Sequence, residues 1–277
     1  MIVQNVDINA GKGHYKHLKS DQLLVTKVFH TIQGEGPYAG RPAVFIRLAG
    51  CTRGSKLGMG CDFCDTNFFF HKGVVKTFEE LLGEIRIHDN TSLVVITGGE
   101  PFVQPNTGAF IQYLFERQND EVGVGVDVQV ETNGDCHPAG LEGVWGIHKT
   151  FLSPRFMVVV SPKYSSNVSQ DLWLLRKEYL ENSENVVLKF LVSADISSPY
   201  YYLPQRHQDC AAAGIRIYLS PLTDYRRGVR EGEVASFWNS DLIDYVSTQL
   251  NYRRAVKLVQ DYNYQLSLQT HLLLEVE

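Results

Sequence analysis

Little in this 277-residue chain suits it to a membrane, a polyanion or an oxidising compartment. No run approaches the ~18 consecutive apolar residues of a membrane span. The N-terminus, Met1-Ile2-Val3-Gln4-Asn5-Val6-Asp7, lacks a charged stretch followed by an apolar one, so the chain reads as cytoplasmic. Basic residues are not in excess, with 26 Lys and Arg against 31 Asp and Glu and a formal charge of −5. Without a basic stripe to neutralise phosphates, direct nucleic-acid binding is not expected. Cysteine is scarce and odd in number, five residues in all, which argues against a disulfide framework and for reduced thiols used as ligands or simply buried. Proline is thin, at 10 residues, and neither a Pro-rich linker nor an internal repeat marks a domain boundary. Apolar residues at 44% are ample for a sizeable core, and small-molecule chemistry is the class these absences leave.

What is present is a βα rhythm. Alternating or continuous apolar runs predict strands at 23–29, 43–49, 93–96, 124–130, 156–160, 186–192 and 215–219. Helical periodicity predicts helices near 76–88, with Thr77 as its cap, and near 107–118, 169–181 and 200–213. A long amphipathic segment over 239–259 leads to a short strand at the C-terminus, on which Gln269 and His271 are expected to sit. Strands alternating with helices imply a parallel sheet with right-handed crossovers, and about six core strands are fewer than the eight of a closed barrel. The expected fold is therefore α/β, an open, partial TIM-like barrel with helices outside, in a single domain over 1–277. In such folds reactive groups gather at the C-terminal ends of the strands, where Cys51, Thr97 to Glu100, Glu131 and Ser161 to Lys163 all fall.

Three of the five cysteines, Cys51, Cys61 and Cys64, lie within fourteen positions. Three thiolates with no fourth nearby can hold a metal or cluster and leave one position open to a ligand. A structural zinc site completed by a histidine such as His71 is the rival, and on the cysteines alone the two readings stand about even. Cys136 and Cys210 are isolated and read as small residues in or near the core. Gly98-Gly99-Glu100-Pro101, after a buried strand, tips the balance. Glycines let backbone groups approach a ligand closely, and Glu100 offers a negative charge to an ammonium group.

These motifs resemble the radical S-adenosylmethionine (SAM) superfamily and, within it, the 7-carboxy-7-deazaguanine synthase family of 7-deazapurine (queuosine) biosynthesis. The resemblance rests on Phe29-His30-Thr31-Ile32-Gln33-Gly34-Glu35-Gly36, Phe45-Ile46-Arg47-Leu48-Ala49-Gly50-Cys51, Cys61-Asp62-Phe63-Cys64-Asp65-Thr66 and Thr97-Gly98-Gly99-Glu100-Pro101. It continues through Glu131-Thr132-Asn133-Gly134 and Ser161-Pro162-Lys163 to Ser267-Leu268-Gln269-Thr270-His271. One departure is plain: nine residues separate the first two cysteines, where the superfamily's usual spacing is three. An insertion over 52–60 in a cluster-binding loop over 51–66 accounts for it, at little cost in loop closure.

The resemblance implies that Cys51, Cys61 and Cys64 bind a 4Fe-4S cluster and that Phe63, Gly98, Gly99, Glu100, Glu131, Asn133, Ser161 and Lys163 serve SAM. It implies that the Thr66 hydroxyl ligates Mg²⁺. It assigns Gln33, Gly34, Glu35, Arg47, Thr97, Gln269, His271 and the carboxylate of Glu277 to the substrate, 6-carboxy-5,6,7,8-tetrahydropterin, with residues 239–277 closing the substrate site. The residue types suit that substrate, since Arg47 can clamp a carboxylate bidentately and Gln33 and Glu35 can read an amino-pyrimidinone edge. Abstraction of the C6 hydrogen, ring contraction and loss of ammonia would give 7-carboxy-7-deazaguanine. An electron donor such as a flavodoxin or ferredoxin, and a homodimer, come with the family. Two alternatives stay open from the residues: a glycyl-radical-enzyme activase or other radical SAM enzyme, which shares the cysteines and Gly-Gly-Glu-Pro, and a zinc-stabilised binding module.

Overall fold

The computed structural model describes residues 14–52, 73–88, 90–117, 125–138, 155–164, 183–225 and 243–274. The helix expected over 169–181 lies outside them, as do Cys61, Phe63, Cys64, Thr66 and Glu277.

Among the described residues, nine strands form an open, mixed sheet in the order β3-β1-β2-β4-β5-β6-β7-β8-β9. They are β1 (Gln22–Ile32), β2 (Pro42–Leu48), β3 (Val74–Thr77), β4 (Leu93–Gly98), β5 (Asp127–Thr132), β6 (Phe156–Val160), β7 (Val186–Val192), β8 (Arg216–Pro221) and β9 (Gln265–Leu266). The pairs β2–β4, β4–β5, β7–β8 and β8–β9 are parallel, and β1–β3 is antiparallel. The six strands predicted as the core are β2 and β4 to β8, flanked by β1 and β3 on one side and β9 on the other. Strands buried on both faces read as continuous apolar runs. All five residues of β6 are buried, which is why both its ends were legible.

The chain divides into two compact units, one of Met1–Thr31 and Pro42–Val159, the other of Ile32–Arg41 and Val160–Glu277. In the first, α1 (Phe78–Arg86) buries Phe78, Leu81, Leu82 and Ile85, the i, i+3, i+4, i+7 stripe of a helix lying on a core. Its expected cap is present. The Thr77 hydroxyl accepts from the Glu80 N–H, while the Glu80 carboxylate accepts from the Thr77 N–H. Helix α2 (Thr107–Glu116) buries Phe110, Ile111 and Leu114, and Phe110 meets Phe78 with ring centroids 5.2 Å apart.

In the second unit, α3 (His207–Ala212) is shorter than the helix predicted over 200–213. Pro204 explains the difference: the residue before a proline is driven out of the helical region, and the turn begins where the His207 N–H reaches the Pro204 carbonyl. Helix α4 (Tyr245–Tyr262) starts at the Asp244 cap and stops at Asn263, which adopts the left-handed conformation that ends helices. One expectation is corrected here. Gln269 and His271 do not sit on a terminal strand; β9 covers only Gln265–Leu266, and His271 lies in a short helix, α5 (Thr270–Leu274). The Thr270 N–H and hydroxyl both donate to the Gly34 carbonyl, at 3.1 and 3.0 Å, and draw the chain off the sheet edge. No helix among the described residues is long and apolar enough to cross a membrane.

Candidate functional site

In the first unit, strand register assembles a polar row. Arg47 of β2 pairs with Thr97 of β4, and Ile96 pairs with Val130 of β5, so Arg47, Thr97 and Glu131 lie side by side on one face of three strands. The Thr97 hydroxyl donates to Glu131 at 3.0 Å, and Gln129, two residues earlier on the same face, donates its amide to the other Glu131 oxygen at 3.1 Å. Gln129 is fully buried, and its own carbonyl oxygen has no partner among the described residues. The Arg47 guanidinium sits 5.0 Å from the centre of the Phe29 ring, itself stacked on Phe45, which restricts the rotamers of the arginine.

Three residues past the end of β2 stands Cys51, a half-buried thiol. The Glu100 N–H donates to the Gly50 carbonyl at 2.9 Å, joining the loop after β4 to the cysteine loop. Gly98 has φ 145°, and a Cβ there would stand 2.3 Å from the Leu48 carbonyl oxygen, so only glycine lets β4 end against β2. The Glu100 carboxylate is fully buried. It accepts from the Phe102 N–H at 3.0 Å, the Asn133 N–H at 2.7 Å and the Thr132 hydroxyl, 2.7 and 2.8 Å from its two oxygens. All of these donors are neutral. Burial therefore wins over the hydrogen bonds and pushes the Glu100 carboxyl up to about 7. The Asn133 amide donates to Thr52 at 2.9 Å, and Thr52 donates to Asp135 at 2.9 Å, which ties the end of β5 to the residue after Cys51. Cys136 also belongs to this neighbourhood: burial first, then the Cys51 and Cys136 thiols, raise the Tyr15 hydroxyl.

The second unit brings together residues that the sequence holds far apart. Gln33 and Arg41 close a loop, with the Gln33 N–H on the Arg41 carbonyl at 2.8 Å and the Glu35 N–H on the Gln33 side-chain oxygen at 3.0 Å. Thr270 bonds to Gly34, 236 positions away, and the Gly36 N–H donates to the Ser267 hydroxyl at 3.1 Å. The His271 imidazole lies directly on Gly34, where an added Cβ would meet its Nδ1 at 2.1 Å. The Glu35 carboxylate pairs with the ammonium of Lys189 on β7. Burial would raise Glu35, but Lys189, His271 and the hydrogen bonds from Lys189 and Gln269 outweigh it and hold the carboxyl down at about 2. The Thr223 hydroxyl donates to the Gln269 side-chain oxygen, which turns the Gln269 amide nitrogen toward Glu35. In the same unit Lys163 donates to Ser161 at 2.8 Å, just past β6.

Sequence reasoning missed Lys189, Thr223, Ser267, Thr132 and Gln129. Only Lys189 carried a signal, a single charge inside the apolar run Val186-Val187-Leu188-Lys189-Phe190-Leu191-Val192, where a buried ammonium requires a partner.

The sequence pattern of the Radical SAM superfamily matches residues 46–144. A 7-carboxy-7-deazaguanine synthase of Hyperthermus butylicus is 34% identical over 76% of this chain and 81% of its own length. One from Rickettsia prowazekii is 30% identical over 92% of this chain and 89% of its own. The chain belongs to the 7-carboxy-7-deazaguanine synthase family. The crystal structure of QueE from Escherichia coli shares the fold, with a TM-score of 0.56 at 22% identity over 89% of this chain and 93% of that one.

As a radical SAM enzyme of that family, the chain uses a 4Fe-4S cluster and SAM. The described residues fit both. Cys51 is a half-buried thiol just past a strand end, a position from which it can reach a cluster. Among the described residues the buried Glu100 carboxylate has neutral donors alone, which suits it to a cationic ligand group.

Proposed function

We propose that this chain converts 6-carboxy-5,6,7,8-tetrahydropterin to 7-carboxy-7-deazaguanine and ammonia, as a radical SAM lyase of 7-deazapurine biosynthesis. The observation that carries the choice of substrate is the convergence of Gln33 and Glu35 with Gln269 and His271. A glycyl-radical-enzyme activase has no use for such a set.

Glu35, held as a carboxylate, accepts from the N–H groups of the pterin, and Gln33, whose oxygen braces the Glu35 backbone, presents its amide beside it. His271, seated on Gly34, and Gln269, fixed by Thr223, complete the contacts together with Thr97 and the Glu277 carboxylate. Arg47 clamps the substrate carboxylate through two parallel N–H donors. Cys51, Cys61 and Cys64 would hold the cluster, and Thr66 a Mg²⁺ ion that keeps several waters. Phe63, Gly98, Gly99, Glu100, Glu131, Asn133, Ser161 and Lys163 would hold SAM. When bound, the cluster and SAM supply one-electron chemistry and hydrogen abstraction, and Mg²⁺ offsets the substrate's carboxylate charge. The chain's own part is to orient the ring and exclude water. A flavodoxin or ferredoxin as electron donor, a homodimer and a cytoplasmic location complete the reading.

The test is anaerobic incubation of the reconstituted protein with SAM, reductant and carboxytetrahydropterin, read by mass spectrometry. Appearance of 7-carboxy-7-deazaguanine is the expected result, and SAM cleavage without that product would remove the pterin assignment. Arg47→Ala is expected to lose substrate binding while keeping its iron and sulfide.

A further inference from the structure

Lys189 is the one charged residue in the second unit's site that no motif accounts for. It lies in the middle of β7, 9% exposed, and its ammonium contacts Glu35 Oε2 across 154 positions of sequence. A lysine in an apolar strand loses its hydration, and it is tolerated only where a fixed counter-charge repays that loss. The reverse dependence is stronger. Glu35 is enclosed by Lys189 from β7, Gln269 ahead of α5, His271 within α5 and Tyr252 of α4, whose hydroxyl is raised by burial and then by the Glu35 charge. Of these neighbours, Lys189 is the permanent cation and the largest influence opposing the effect of burial. Without it the carboxyl loses the largest influence that opposes burial and shifts toward its protonated form, a donor where the ring N–H groups of the substrate need an acceptor.

We propose that Lys189 is a positioning residue that keeps Glu35 an anionic acceptor and orients it toward the N–H edge of the substrate. The inference rests on the assignment of Glu35 to the pterin and extends it by a residue that never touches the ligand itself. It follows that the site selects a substrate edge rich in donors, because the paired glutamate offers only lone pairs.

The test is a pH series of KM and kcat for carboxytetrahydropterin, from about pH 6 to about pH 9, on reconstituted wild type, Lys189→Met, Lys189→Arg and Glu35→Gln. Lys189→Met is expected to raise KM about tenfold or more at the acid end, with the gap closing as pH rises and Glu35 ionises again, and with kcat at saturation little changed. Lys189→Arg should recover most of the wild-type KM, and Glu35→Gln should raise KM equally at every pH. Glu35→Gln with a wild-type KM would remove the underlying substrate assignment. Glu35→Gln impaired, but Lys189→Met unchanged or equally impaired across the range, would remove the role of Lys189 alone. Should Lys189→Met fail to fold, the charge-neutral pair Glu35→Gln/Lys189→Met takes its place. Its KM should match that of Glu35→Gln at every pH, and a further rise would show that Lys189 acts other than through Glu35.

Discussion

Glu35 and Glu100 begin as near-equals. Each follows a glycine in a short loop after a strand, Glu100 fully buried and Glu35 half-buried, and each carries a carboxylate held by several donors. Folding then sends them in opposite directions, Glu35 down to about 2 and Glu100 up to about 7. The difference lies in who donates. Glu35 receives an ammonium, an amide and a nearby imidazole, so Coulomb attraction outweighs desolvation. Glu100 receives two backbone N–H groups and a hydroxyl, which satisfy its lone pairs without cancelling its charge. One unit thus holds a standing anion with its counter-ion built in, and the other holds a carboxylate whose partners among the described residues are all neutral. A neutral donor edge suits the first, and a cationic ligand suits the second.

The strongest way to break the contrast is to take the counter-ion from Glu35. Lys189→Met leaves the half-buried Glu35 carboxyl with Gln269 and His271 but no permanent cation, and should cost about 2 kcal/mol of stability at neutral pH, read from the urea midpoint. The sign follows from linkage. A carboxyl depressed in the folded state contributes stability above its unfolded value and loses it as pH falls toward about 2. Variant and wild type should therefore converge on acidification, and a constant gap at all pH values would mean that lost packing, not charge, is what the substitution measures.

The opposite experiment gives Glu100 no charge to bury. Glu100→Gln keeps the shape but points an amide N–H at one of the existing donors, so it should be destabilising in mild acid. Because the folded-state value of Glu100 is raised, its favourable contribution is complete below the unfolded value and is lost as pH rises through about 7. The variant escapes that loss, so its stability relative to wild type should improve by on the order of 2 kcal/mol between mildly acid and mildly alkaline denaturation series. A flat difference would show that Glu100 is not ionising in that range.

How much of this contrast the sequence announces depends on the reach of each contact. Thr77 capping α1, and the bounds of β6 and β7, are local matters of propensity and apolar pattern, and the structure agrees with the reading residue for residue. The gathering of Arg47, Thr97 and Glu131 follows from parallel strands ending at one edge. The sign of each glutamate's shift was not legible. Thr132, which bonds Glu100, stands in a motif whose other residues draw the attention, and Lys189 inside its apolar run signals a partner without naming Glu35, 154 positions away. The terminal helix α5 replaces the expected strand because the bonds from Thr270 to Gly34 are tertiary and leave no periodic trace. The short edge strand β3 was absorbed into the run-up to α1 for a related reason: four half-exposed residues carry no apolar pattern of their own.

A smaller perturbation sharpens the comparison from the backbone side. Gly34→Ala places a methyl 2.1 Å from the Nδ1 of His271, and a ring at the end of a side chain moves more readily than a strand. Stability should change little while the imidazole leaves its seat, so KM for carboxytetrahydropterin should rise about tenfold with iron and sulfide content unchanged. An unchanged KM would show that His271 need not sit against Gly34 for the substrate to bind.

The mildest substitution separates electrostatics from stability. In Thr77→Ala the Glu80 N–H loses its acceptor and the Glu80 carboxylate loses the hydroxyl it accepts from at 3.0 Å, so only the backbone N–H half of the capping box remains. The cost should be about 1 kcal/mol, seen as a lower urea midpoint with an unchanged slope. Thr77 lies in the same unit as Glu100 but touches none of its donors, so the dependence of stability on pH through about 7 should keep its shape and simply move down. A change of shape would mean that the Glu100 site loosens whenever its unit does, and that the raised carboxyl belongs to the packing of the whole unit and not to the three donors around it.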